Sequence, residues 1–124
     1  MNNAKFRIYK AKDSHFYYRL YADDLYIILD GEADREAYML KDDCRKAIDE
    51  IRRNAADDRR YLREVAMLDE YYFVFVDENG EILAMSELFE TEIQRDCAIQ
   101  LFKTLVPDAP VEDITEFFVS NTLH

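Results

Sequence analysis

The residue types that most often carry chemistry, histidine and cysteine, are scarce in this chain. It has two of each among 124 residues. No zinc-binding or triad pattern surrounds His15 or His124, and neither Cys44 nor Cys97 belongs to a Cys-x-x-Cys motif. We therefore expect no catalytic residue, no metal site and no cofactor, and the chain is not expected to be an enzyme. Both cysteines are interpreted as packing thiols in a reducing, cytoplasmic location.

Three pairs of adjacent aspartates are the next candidates for chemistry. They lie at 23–24, 42–43 and 57–58. None follows the spacing of a calcium-binding loop, and each falls at an expected turn or helix end, where aspartate is common. A glycine-rich phosphate loop is excluded because the chain has two glycines, Gly31 and Gly80. The aspartates are interpreted as structural.

One alternating stretch could hold a ligand. Tyr17, Arg19 and Tyr21 are expected on one face of a strand, because side chains alternate between the two faces of a sheet. An aromatic-basic-aromatic ladder can stack bases or bind an anion. It also suits a solvent-exposed face with cross-strand contacts. Both interpretations stay open from the sequence.

The stretch 71–85 predicts a β-hairpin. Aromatic and β-branched residues fill its first arm, and the turn at 77–80 ends in Asn-Gly. The second face of this arm carries Tyr72, Val74 and Val76, which is too apolar for a face in water. We expect the C-terminal tail, with Phe117 and Phe118, or a second subunit to cover it.

Two helices are predicted, at 41–53 and 92–105. Cys44, Ala47, Ile48 and Ile51 form one apolar stripe on the first helix. Thr91 and Gln94 have capping-box spacing at the start of the second. An internal repeat relates the two halves: with an offset of 55 the strands align, and with an offset of 51 the helices align.

Each half of the chain contains its own short motifs, four in the first half and three in the second. They are Phe-Arg-Ile-Tyr-Lys at 6–10, Phe-Tyr-Tyr-Arg-Leu at 16–20, Glu-Ala-Tyr at 36–38 and Ala-Ile-Asp-Glu-Ile at 47–51, with Ser-Glu-Leu-Phe at 86–89, Ala-Ile-Gln-Leu-Phe at 98–102 and Val-Glu-Asp-Ile-Thr at 111–115. This pattern resembles the YegP-like tandem-repeat family of small bacterial proteins. The resemblance implies two β-β-β-α-β units that share one antiparallel sheet, with terminal strands exchanged and both helices on one face. It implies no catalytic or binding residues.

The predicted fold class is therefore α+β, with a single antiparallel sheet built from two pseudo-symmetric repeats. One domain spans residues 1–124. Repeat one covers 5–58, repeat two covers 59–115 and the tail covers 116–124.

Charge separates the halves. Residues 1–62 hold 13 Lys or Arg and 13 Asp or Glu, whereas residues 63–124 hold 3 and 14, so the second half carries the whole net charge of −11. Such a surface opposes nucleic-acid binding, because phosphates need cations, and no apolar run reaches the length of a membrane span. We predict a small acidic interaction module that binds a protein or a second copy of itself. The alternative is an acidic inhibitor or decoy of a basic, nucleic-acid-binding protein.

Overall fold

A computed structural model describes residues 4–12, 14–22, 26–30 and 38–115 of the chain. The first repeat contains β1 (Ala4–Lys10), β2 (Phe16–Ala22), β3 (Tyr26–Asp30) and α1 (Lys41–Asn54). The second contains β4 (Tyr61–Ala66), β5 (Glu70–Val76), β6 (Ile82–Ser86), α2 (Glu92–Leu105) and β7 (Val111–Asp113). Both helices and the hairpin of β5 and β6 lie where the sequence pattern predicts them.

Seven strands in the described part of the chain form one sheet, in the order β4-β5-β6-β3-β2-β1-β7. The two halves meet at β3 and β6, which pair over only two positions, Leu29 with Ser86 and Asp30 with Met85. The α+β class, the two repeats and the two helices on one side are confirmed.

The expectation of a wholly antiparallel sheet is wrong at one edge. β7 runs parallel to β1, with Phe6 opposite Val111. The reason is topological, since α2 and the turn after it return the chain to the far edge of the sheet in the direction of β1. The resemblance implied that both repeats exchange their terminal strands. β7 of the second repeat does pair with β1 of the first, whereas the strand that follows α1 is β4, which pairs with β5 of its own repeat. Among the described residues, the exchange therefore occurs in one direction.

The core lies between the sheet and the two helices. All four residues of the predicted α1 stripe are buried. They pack in one cluster with sheet residues of both repeats and with α2. The bulky side chains of that cluster that are fully buried include Tyr18, Phe6, Phe73, Phe75, Phe102, Ile8, Leu20, Ile48, Ile51 and Ile99. Phe73 and Phe102 join sheet and α2 edge-to-face, with ring centroids 5.1 Å apart.

Helix α2 begins with the predicted capping box. The Thr91 side chain accepts a hydrogen bond from the Gln94 main-chain N–H, and the Gln94 side chain accepts one from the N–H of Thr91. Its inward residues are Arg95, Ile99 and Phe102. Cys97 is exposed, so its interpretation as a packing thiol is wrong. It lies between two inward positions of the helix and therefore faces away from the sheet.

A buried hydrogen bond joins the repeats through the core. The hydroxyl of Tyr18 on β2 donates to the main-chain carbonyl of Leu83 on β6. Tyr18 is fully buried and Leu83 nearly so. The bond satisfies two polar groups that would otherwise be costly in an apolar interior.

Candidate interaction surfaces

The predicted ladder of Tyr17, Arg19 and Tyr21 lies on one face of β2, away from the helices. The pairing of β1 with β2 places Tyr9 opposite Tyr17 and Arg7 opposite Arg19. The rings of Tyr9 and Tyr17 stack with centroids 5.7 Å apart. The β1 members of this ladder were not predicted from the sequence, although the hairpin register would have supplied them.

The two arginines of the ladder lie over tyrosine rings. The guanidinium of Arg7 is 4.8 Å from the ring centroid of Tyr21, and that of Arg19 is 5.2 Å from the ring centroid of Tyr9. Both contacts run diagonally across the strand pair, within the range of cation–π attraction. The ladder therefore contributes to holding β1 against β2.

A carboxylate from the second repeat completes the ladder. Glu112 on β7 accepts hydrogen bonds from Arg7 Nε at 2.7 Å and from Lys5 Nζ at 3.3 Å. Partial burial alone would raise the pKa of Glu112, but the two basic side chains outweigh it and lower the pKa. Arg7 already contacts both a ring and a carboxylate. Its geometry therefore favours a role in holding the strands together over a role in an open anion-binding site. The ligand role of Tyr17, Arg19 and Tyr21 stays a prediction.

The second predicted surface is the other half of the same sheet face. Val74 and Val76 are only 4% and 5% exposed, and Tyr72 is half-buried. These two valines are therefore covered within a single chain. Phe117 and Phe118, the tail residues expected to take part, lie outside the described residues. Their interface with Tyr72, Val74 and Val76 stays a prediction.

A third surface, which the sequence analysis missed, is the tip of the hairpin that joins β4 to β5. Met67 and Leu68 are 87% and 90% exposed. Leu68 has φ 67° and ψ 27°, and Asp69 follows with φ 58°. Two consecutive left-handed residues without glycine are unusual, and no sequence signal of glycine or asparagine marked this turn.

Two arginines beside a shallow groove of about 510 Å³, the exposed Arg59 and the largely buried Arg60, are paired with carboxylates. Arg59 and Arg60 are among the residues that line this groove. Arg59 Nε lies 3.0 Å from Asp57, and Arg60 lies 3.0 Å from Glu50. A hydrogen bond from Arg59 lowers the pKa of Asp57 to about 2. These contacts favour a structural role for the groove.

Across residues 4–12, 14–22, 26–30 and 38–115, no group of three or more His, Cys, Asp or Glu side chains is placed to hold a metal ion. No helix in those same ranges is both long and apolar enough to cross a membrane.

The fold defines a class, the tandem-repeat α+β proteins in which two β-β-β-α units share a sheet. A family model described as a domain of unknown function, DUF1508, matches residues 11–61 and again residues 68–113. The chain belongs to this family, which the resemblance to YegP-like proteins predicted. A UPF0339 protein of Pseudomonas aeruginosa is 30% identical over 110 residues, which are 89% of this chain and 96% of that relative.

Two solved structures have the same fold. The solution NMR structure of the Escherichia coli protein YegP, titled a protein of unknown function, is 26% identical and has a TM-score of 0.81. The match covers 93% of this chain and 96% of that one. The solution structure of a UPF0339 protein from Shewanella oneidensis is 24% identical, with a TM-score of 0.82 and coverage of 92% and 93%. The likeness to the latter concerns the fold alone.

Proposed function

We propose that the chain acts by binding another protein, through the tip of the β4–β5 hairpin, rather than by catalysis. Leu68 carries the proposal. A left-handed conformation costs a leucine about 1–2 kcal/mol relative to the right-handed one. Its side chain is almost fully exposed, so packing within the chain recovers little of that cost. Asparagine or glycine would avoid the strain, and a leucine at this exposed position is consistent with a contact made to a partner.

The surroundings of the tip indicate the chemistry of the partner. Met67 adds a second exposed apolar side chain, and Glu64, Asp69 and Glu70 flank the pair. An apolar pocket with a basic rim would match this surface. Self-association is one form of such binding, and we place the interaction in the cytoplasm because two free cysteines suit a reducing compartment.

The second candidate function is an acidic inhibitor or decoy of a basic, nucleic-acid-binding protein. The observation that favours it is the net charge of −11 carried by residues 63–124. A decoy held by charge should release its partner as the salt concentration rises, whereas an apolar contact at Met67 and Leu68 should not. A salt titration of the captured partner therefore separates the two functions.

The experiment is capture from a native lysate of the organism that encodes the chain. Tagged wild type is compared with the double variant Met67→Ser and Leu68→Asn. A matched control exists in the first repeat, where Met39 and Leu40 form another exposed Met-Leu pair. We expect the hairpin variant to lose a protein that both wild type and the Met39→Ser, Leu40→Ser control retain. Equal capture by all three proteins would refute the hairpin site.

Stability provides an independent measurement. Leu68→Asn alone should keep or raise the melting temperature, because asparagine tolerates the left-handed conformation better than leucine. Loss of capture together with unchanged or higher stability is the result expected of a residue kept for binding. A fall of the melting temperature by several degrees would mean that Leu68 serves the fold.

A further inference from the structure

Strand β4 is an outer strand of the sheet. In the part of the chain that the structure describes, it pairs with β5 alone, from Tyr61 to Ala66 and without a bulge. Leu62 and Val65 on this strand are 42% and 57% exposed. Residues 61–66 include neither proline nor lysine, which often protect an outer strand from pairing with another chain. The edge of β4 can therefore accept a further strand.

The first repeat shows what such an edge binds in this fold. With the offset of 55 that aligns the strands, Tyr61 of β4 corresponds to Phe6 of β1. β1 pairs with β2 on one side and with β7, in parallel, on the other. Among the described residues, the second repeat has no strand in the place that β7 takes on β1. The pseudo-symmetry of the two repeats thus indicates that a parallel strand would complete β4.

The main-chain groups that β1 uses to bind β7 have equivalents on β4. The carbonyl of Ile8 accepts a hydrogen bond of 3.0 Å from the N–H of Ile114. The equivalent of Ile8 is Arg63. The N–H of Tyr61 already donates to the carbonyl of Asp58 in the turn before β4. Pairing with an added strand would therefore begin at the carbonyl of Tyr61 and continue with the N–H and carbonyl of Arg63.

The hydrogen bonds of β5 support this direction of the Arg63 groups. Phe73 lies directly opposite Arg63 in the pairing of β4 with β5. The N–H of Phe73 donates to the hydroxyl of Ser86, which places it on the side of β6. Opposite residues of an antiparallel pair turn their main-chain groups either toward each other or away from each other. The N–H and carbonyl of Arg63 therefore point outward from the sheet edge.

The helix residues beside the two edges differ in charge. Asp113 on β7 binds Lys41 and Arg45 on α1, at 3.0 and 2.8 Å. With the offset of 51 that aligns the helices, the equivalent α2 residues are Glu92 and Asp96. An aspartate at the place of Asp113 would approach two carboxylates on α2, whereas a lysine or arginine would be attracted to them. The segment that fits β4 therefore has a basic residue at that place.

Two residues of β4 itself are compatible with such a segment. Arg63 binds Asp96 and Asp58, at 3.2 and 3.4 Å, so its positive charge is compensated within the chain. Leu62 is the equivalent of Arg7, which binds a carboxylate of β7 in the first repeat. An exposed leucine in place of that arginine favours an apolar side chain on the incoming strand.

We propose that β4 binds an extended segment of a partner protein as an additional, parallel strand, with an apolar side chain beside Leu62 and a basic side chain beside Glu92. The inference rests on the proposed function, in that the chain acts by protein binding, and it names the segment of the partner. A segment parallel to β4 ends near Met67 and Leu68. The remainder of the partner would then contact the hairpin tip.

A second copy of this chain fits the edge less well. Its β7 has Asp113 at the place that needs a basic residue. Two β4 strands can pair antiparallel over residues 61–65 or 62–66, and these registers place Arg63 opposite Arg63 or Glu64 opposite Glu64. Like charges directly opposite each other are destabilising. The occupant is therefore a segment of a different protein.

An NMR titration of the isotope-labelled full-length chain tests the proposal. The probe is the peptide acetyl-Val-Leu-Lys-Ile-Thr-amide, which copies residues 111–115 with the changes Glu112→Leu and Asp113→Lys. We expect the amide of Arg63 to shift more than those of Leu62 and Glu64, which face β5. The matched peptide with aspartate in place of lysine should bind about tenfold more weakly, because it meets like charge.

Methylated forms of the lysine peptide test the main-chain pairing without changing the protein. A methyl group on the isoleucine nitrogen removes the N–H that would donate to the carbonyl of Arg63, and binding should weaken about tenfold. A methyl group on the lysine nitrogen, which faces away from β4, is the control and should weaken binding less. Equal effects of the two methyl groups, or no shift at Arg63 with the lysine peptide, would overturn the proposal.

A change of charge on α2 tests the basic residue. Glu92→Lys should reverse the preference and bind the aspartate peptide more tightly, as Lys41 binds Asp113 in the first repeat. The control Asp108→Lys makes the same change of charge at an exposed site and should keep the wild-type preference. Both variants should melt near wild type, because both positions are exposed. An unchanged preference in Glu92→Lys would contradict the proposal, as would equal binding of the unaltered segment acetyl-Val-Glu-Asp-Ile-Thr-amide to wild type.

Failure of this inference can be told apart from failure of the proposed function. The hairpin variant of Met67 and Leu68 leaves residues 61–66 intact and should bind the lysine peptide as wild type does. If that peptide fails to bind while the hairpin variant still loses its captured partner, the hairpin site stands and the strand addition is wrong. If the peptide binds as expected and the hairpin variant captures normally, the reverse holds.

Discussion

Asp113 in the last strand of the second repeat accepts a hydrogen bond of 2.8 Å from Arg45 on the helix of the first repeat. Lys41 Nζ donates to the same carboxylate oxygen at 3.0 Å. The other oxygen accepts from the main-chain N–H and hydroxyl of the buried Thr115 at 3.0 and 2.7 Å. β7 is therefore fixed to α1 on one face of the sheet and, through Glu112, to β1 on the other.

The stability that Asp113 provides should depend on pH. Partial burial alone would raise the pKa of Asp113, but hydrogen bonds from Thr115 and Lys41 lower it well below its usual value. A carboxylate with a lowered pKa in the folded state stabilises the fold above its unfolded pKa of about 3.9, and the effect is lost as pH falls toward the folded pKa. Asp113→Asn should therefore melt below wild type at pH 7, and the gap should narrow progressively as the pH falls below about 4.

The control for this measurement is Asp108→Asn, an exposed aspartate outside these ion pairs. Its melting temperature should follow that of wild type across the pH range. A gap between Asp113→Asn and wild type that stayed constant from pH 7 to pH 3 would mean that the ionised carboxylate is not what stabilises this junction.

Tyr18→Phe should loosen the contact between the repeats. The change leaves the carbonyl of Leu83 without its buried donor, which costs about 1–3 kcal/mol of unfolding free energy. Tyr72→Phe, a half-buried tyrosine of β5 on the other sheet face, is the control. Urea unfolding at equilibrium measures both, and equal midpoints for the two variants would contradict the structural importance of the Tyr18 bond.

Ala98→Leu should overpack the contact of α2 with the sheet. Ala98 is partly buried and packs against the core, and Ala47 is its buried counterpart on α1. Added methylenes at such sites typically cost roughly 1–3 kcal/mol. The same substitution at Ala47 should cost at least as much, because that position is less exposed. A melting temperature unchanged by Ala98→Leu would show that the alanine does not set the helix-to-sheet distance.

Truncation after Thr115 tests the predicted role of the tail. If Phe117 and Phe118 cover the face that holds Tyr72, Val74 and Val76, their removal should increase the binding of a hydrophobic dye and promote aggregation. If the tail instead contacts a second subunit, light scattering should show a dimer becoming a monomer. A shortened chain with unchanged dye binding and mass would mean that the tail serves neither purpose.

The residues whose positions followed from sequence are those governed by local rules. The α1 stripe from Cys44 to Ile51, the capping box of Thr91 with Gln94 and the turn at Gly80, with φ 85°, depend on helix periodicity or on the conformations a residue tolerates. The repeat was readable for the same reason, because each copy needs the same inward side chains. Cys97 was misplaced because its alanine neighbour indicated a buried helix face, whereas the packing of α2 turns that position outward.

The sequence alone determined the two repeats, the α+β class and the family, because local periodicity and repeated motifs encode them. Only the tertiary structure decided that β7 lies parallel to β1, that Arg7 lies over Tyr21, and that Leu68 is strained and exposed. Each of these depends on pairing between distant segments or on a turn conformation that the residue type does not favour. The local sequence around β7 and Arg7 does not identify their distant partners, and the residue type at Leu68 does not predict its backbone angles. Both are fixed only when the whole sheet assembles.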